Sequence, residues 1–118
     1  MVDDISSLLE NSDKLNASAM SLIRCLILAL LSYFVDGIQY RELKVALKIS
    51  DGKLIANLNK LRDMQYVEKS EVEINHNKID IYTLGPKGRH ELNKVIEWME
   101  LVQRVANEEE KCQQILTK

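Results

Sequence analysis

Lys53, Asn57 and Lys60 are spaced four and three residues apart, which lines them up along one face of a helix. Their chemistry would be hydrogen-bond donation rather than bond making. A lysine in the first turns of such a helix can donate to guanine O6 and N7, and an asparagine can bond adenine at two points. A lysine one turn later suits a phosphate. Gly52 and Ala56 lie among them. The glycine lets a backbone come close to phosphate, and the alanine leaves room for close approach or a thymine methyl.

Further donors flank this stretch. Arg41 and Lys44 precede it, His76 and Lys78 sit in an Asn-rich segment, and Lys87 and Arg89 follow. Each has a plainer reading as a solvated surface charge, and Glu71 and Glu73 lie close to the His76–Lys78 segment. Ile55 stands at the margin of the outward positions, open to three readings: core, a methyl contact, or a face put to another use.

Catalysis finds little support. There is no nucleophile elbow, phosphate loop, paired-carboxylate spacing or metal signature. Ser50 is explained as a helix cap, and Tyr33, Tyr40 and Trp98 read as packing residues. Cys25 and Cys112 have no disulfide-framework spacing and read as reduced thiols of a cytoplasmic protein. His76 and His90 are not at ligand spacing with either cysteine, so neither a cofactor nor a metal is expected.

The net charge of −2 hides a local imbalance. Residues 1–39 hold two Lys/Arg and five Asp/Glu, residues 40–90 ten and seven, and residues 91–118 four and six. Positive charge therefore gathers in the middle, and local charge is what meets a phosphate backbone. The apolar run from Met20 to Val35 is too short to span a membrane and is interrupted by Arg24. The acidic start, with Asp3 and Asp4, is unlike a signal peptide.

These side chains need elements to hold them. Residues 3–15 carry a weak amphipathic spacing that predicts a short helix. Asn16 to Ser18 offers capping residues, and a second helix, apolar almost all round, follows over about 17–34. Tyr40–Leu47 predicts a short helix and Lys48-Ile49 a turn. Ser50 caps a helix running to about Gln65, with Leu54, Leu58 and Leu61 facing the core. The period then drops to two around Asn75-His76-Asn77, the mark of a β-hairpin. Pro86 opens a last helix to about 105, with a stripe of Leu92, Val95, Ile96, Met99, Val102 and Ala106. The length suits one domain over 1–118.

Helix, helix, turn, helix, hairpin, helix is the order of a winged helix-turn-helix: mainly α with a small β-hairpin wing (α+β), ending in a long C-terminal helix. Ile49-Ser50-Asp51-Gly52-Lys53-Leu54, with Leu58, Leu61 and Tyr66-Val67, resembles the recognition-helix pattern of the small MarR/ArsR-like winged-helix transcriptional regulators. Tyr82-Thr83-Leu84 with Lys87-Gly88-Arg89 resembles the junction after their wing. The resemblance covers about residues 20–100 and departs from the pattern at Ile55, where a small polar residue is usual. It implies a homodimer that binds double-stranded operator DNA and regulates transcription.

The helix-turn-helix is thus expected at about 40–65 and the wing at about 66–84. Dimerisation helices are expected at about 17–34 and 86–106, since their apolar faces exceed the needs of one small core. The DNA-binding candidates are Arg41, Gly52, Lys53, Ala56, Asn57, Lys60, His76, Lys78 and Lys87. The alternative is a winged-helix module that binds protein, favoured by the acidic total, Ile55 and a weakly basic wing.

Overall fold

The computed structural model describes residues 2–16 and 21–108. Their elements run α1 (Val2–Ser12), α2 (Leu22–Tyr33), β1 (Ile38–Gln39), α3 (Tyr40–Leu47), α4 (Asp51–Asp63), β2 (Val67–Ile74), β3 (Asn77–Leu84) and α5 (Pro86–Asn107). The contacts fall into two compact units, residues 16–93 and residues 1–15 with 94–118.

In the unit 16–93 the helix starts follow from local chemistry. Ser21 caps α2, its hydroxyl accepting from the Arg24 N–H at 3.2 Å. The cap thus lies beyond Asn16–Ser18, and residues 17–20 are outside the described ones. Glu42 accepts from the Gln39 backbone N–H at 3.0 Å where α3 begins. Lys48 ends α3 in the left-handed region (φ 55°), which turns the chain toward Ser50. The Ser50 hydroxyl accepts from the Lys53 N–H at 3.3 Å, the expected cap of α4.

The three strands form an antiparallel sheet in the order β1-β3-β2. The two-residue β1 is not legible in the sequence; it pairs Ile38 with Tyr82 and Gln39 with Ile81. Gly37 leads into it at φ 103°, where a Cβ would also strike Ile81. The hairpin pairs Val67 with Leu84 through Ile74 with Asn77. Its turn is Asn75-His76, both at positive φ, so Asn77 belongs to the strand. Two such residues match the right-handed twist of the strands.

One core joins these elements. Ile27, Leu28 and Leu31 of α2, Leu43 of α3, and Leu54, Leu58 and Leu61 of α4 are all essentially buried, with Tyr82 and Leu92 beside them. Each such side chain contributes roughly 1.5–3 kcal/mol by leaving water, so the three α4 leucines fix which face of that helix looks outward. Glu91, only 3% exposed, accepts from the Asn16 N–H at 2.9 Å and the Tyr66 hydroxyl at 3.3 Å. No buried polar side-chain atom among the described residues lacks a partner.

In the other unit, Trp98 donates its indole N–H to the Leu8 carbonyl at 3.1 Å. Lys94 donates to the Lys14 carbonyl at 3.0 Å, and Arg104 faces Asp4 at 3.8 Å. Several apolar side chains stay in water. On α2 these are Leu22 and Leu26, with Tyr33 at 79% exposure; on α5 they are Ile96 and Met99. Tyr33 corrects the packing expectation: it is largely exposed, and its ring stands edge-to-face with that of Phe34 at 4.9 Å between centres.

Candidate nucleic-acid interface

With Leu54, Leu58 and Leu61 inward, α4 presents Gly52, Lys53, Ala56 and Lys60 as exposed residues. Ile55 is exposed as well, at 47%, which removes the core from its three readings. A Cβ at Gly52 would meet nothing within 4 Å, so nothing in the fold itself calls for glycine there.

Asn57 is half-buried and held on both sides. Its amide donates to the Lys53 carbonyl at 2.8 Å, and its Oδ1 accepts from the Arg24 Nε at 3.0 Å. Arg24 is a residue of this face that the sequence reading left out. The signal was present: a charge set inside an otherwise apolar helix must reach a polar surface somewhere.

The start of α4 is tied to α3. Asp51 accepts from the Tyr40 hydroxyl at 2.8 Å and from Lys44 at 3.0 Å. These two bonds hold the Asp51 carboxyl below its usual range. Tyr40 is pushed up to about 12, by burial first and then by its bond to Asp51. Lys44 therefore neutralises an acid of the same unit, whereas Arg41 beside it is exposed. Arg41 and Lys78 line one groove of about 540 Å³ with Tyr40, Lys44, Asp51 and Asp80.

Lys87 lies apart from these. It donates to Gln65 Oε1 at 2.7 Å and lines a separate groove of about 740 Å³ with Arg62, Lys69 and Glu68. Two glycines allow the chain to pass closely there: a Cβ on Gly88 would collide with the Tyr66 carbonyl, and Gly85 donates its N–H to that same oxygen at 2.9 Å.

The wing is charge-balanced at best. Residues 67–84 hold two Lys/Arg and four Asp/Glu, against six and three in residues 40–63. The register sets Glu71 directly opposite Asp80, an unfavourable like-charge pair. Lys78 offsets it diagonally toward Glu71 at 3.8 Å and Lys69 toward Asp80 at 3.6 Å. His76 at the tip is 98% exposed, 3.9 Å from Glu73.

A family model described as a winged helix DNA-binding domain matches residues 23–102. No curated protein matches the sequence. Among solved structures, the chain is similar to BpsR of Bordetella bronchiseptica, from work on the regulation of its DNA binding by 6-hydroxynicotinic acid. The TM-score is 0.60 at 13% identity, over 98% of this chain and 87% of that one. At that identity the likeness is one of fold. The expected winged-helix architecture is supported by both comparisons. Among the described residues, no helix is long and apolar enough to cross a membrane.

Proposed function

The chain belongs to the winged helix DNA-binding domain family, and on that premise we propose that it is a sequence-specific, homodimeric transcriptional regulator of double-stranded DNA. The observation that carries this reading is α4. Three buried leucines turn Lys53, Ala56 and Lys60 outward on a helix whose N-terminal part is the part that meets base edges in a helix-turn-helix. In this reading Lys53 and Asn57 face bases and Lys60 a phosphate. Arg41 and Lys87, with Gly52 and Ala56, support backbone approach, and Lys78 and His76 add a smaller share from the wing.

Dimerisation draws support from the apolar side chains left in water. Leu22, Leu26 and Tyr33 recur along α2 at helical spacing, and Ile96 and Met99 lie on α5. Such faces suit a second copy, and two α4 helices related by a two-fold axis would read a pseudo-palindrome. Sedimentation should give a species of twice the 13.6 kDa chain mass; a monomer alone at micromolar concentration would remove the homodimer.

Binding to duplex DNA measured across a salt series tests the main reading. Each neutralised phosphate should add about −0.9 to the slope of log K against log salt. Affinity that ignores salt, or no binding at low salt, would shift the reading to a protein-binding winged helix. That second reading draws its weight from the wing's acidic excess and from exposed Ile55.

A further inference from the structure

We propose that Arg24, outside the helix-turn-helix, is a positioning residue for base recognition: it locks the Asn57 side-chain amide in the orientation that reads a base. This inference rests on the DNA reading of α4.

The geometry is a short relay. Arg24 lies in the first turn of α2, where its backbone N–H is bound by the Ser21 cap. Its Nε reaches across to Asn57 Oδ1 at 3.0 Å, and Asn57 Nδ2 donates to the Lys53 carbonyl at 2.8 Å. The two bonds have opposite polarity. An arginine can only donate and a carbonyl can only accept, so the Asn57 oxygen and nitrogen cannot exchange places without losing both. An amide on an exposed helix face would otherwise be able to flip.

Valence supports the same use. An asparagine amide has two acceptor lone pairs and two donor hydrogens. One of each is taken internally, which leaves one acceptor and one donor, the complement an adenine edge presents. The same bond accounts for a charge in an apolar helix, since the Arg24 head meets a polar group of α4. The specificity of Asn57 then depends on a residue 33 positions upstream.

The test is a double-mutant cycle read as discrimination, the ratio of affinities for the selected duplex and for the same duplex changed at one base pair. Asn57→Ala should lower discrimination at one base pair by about tenfold or more, the scale of one bidentate contact. Arg24→Ala should lower it several-fold at that same base pair, and should lower it no further when Asn57 is already alanine. Arg24→Lys keeps the charge without the planar guanidinium; it should hold affinity for scrambled DNA while losing discrimination, and it serves if Arg24→Ala folds poorly.

Discrimination unchanged in Arg24→Ala and Arg24→Lys, or lost equally in both Asn57 backgrounds, would overturn the inference while leaving DNA binding intact. Failure of the unmodified chain to bind any duplex would instead overturn the DNA reading, and this inference with it.

Discussion

The helix-turn-helix and the wing follow one another in the chain and carry opposite charge. Residues 40–63 hold six Lys/Arg against three Asp/Glu, and residues 67–84 hold two against four. The difference extends to what the lysines do. On α4, Lys53 and Lys60 are exposed, while both wing lysines face carboxylates across the hairpin. Phosphate attraction is local, so in the proposed DNA reading the helices would supply it and the wing would mainly supply shape. A winged-helix fold thus fixes where DNA would lie without fixing which element holds it.

The largest contrast should be in stability. Leu58 is buried between α4 and the rest of the core, and an unpaired carboxylate there costs several kcal/mol, roughly the whole margin of a small domain. Leu58→Asp should therefore abolish cooperative melting. The same change at Ile74, half in water beside the hairpin turn, should stay within about 0.5 kcal/mol. Equal losses in thermal melts would mean that the wing is as integral to the core as α4.

Binding comes next. On a preferred site Lys53→Ala should cost about 1–3 kcal/mol, and much less on random DNA. Lys60→Ala should weaken both alike and flatten the salt slope by about one unit per lost phosphate contact. Lys78→Ala and His76→Ala should change affinity by no more than about twofold, the scale of an ordinary surface substitution. Anisotropy titrations with a selected and a scrambled duplex separate these outcomes. A wing variant as damaging as Lys60→Ala would break the division between holding helices and a shape-giving wing.

Much of the architecture was legible because it rests on local signals. The leucines of α4, the Ser50 cap and the period change at the hairpin each follow from neighbours in sequence, and α3 appears at its expected bounds. What escaped depends on distance along the chain. The strand β1 exists only through its pairing with Tyr82 and Ile81. Arg24 acquires meaning only beside Asn57. The charge of the wing was visible by counting, but its pairing required the register that sets Glu71 opposite Asp80. Tyr33 read as a packing residue because an aromatic ring on an apolar helix usually packs; on this helix it faces water.

The smallest effect concerns the joint that orients α4. Tyr40 and Lys44 of α3 both bond Asp51, so the first turn of α4 is fastened by one exposed carboxylate. Removing the hydroxyl with Tyr40→Phe should cost less than about 1 kcal/mol near neutrality, the worth of an accessible hydrogen bond. The pH profile gives a sharper readout. The Tyr40 pKa is raised from 10.0 to about 12 in the folded chain, so the folded state holds that proton more tightly. Its contribution is complete below pH 10 and is lost as pH climbs through 12. Asp51 is lowered from its usual 3.8, so its contribution is complete above that pH and is lost as pH falls through the folded value. Denaturant unfolding of wild type minus variant should therefore be flat between about pH 5 and 9. It should narrow on both sides for each variant: Tyr40→Phe removes its own alkaline titration and the first cause of the Asp51 shift, and Asp51→Asn removes its own acid titration and part of the cause of the Tyr40 shift. A difference that stays constant from acid to alkali would show that the joint does not hold in solution. The orientation of α4 would then rest on its buried leucines alone.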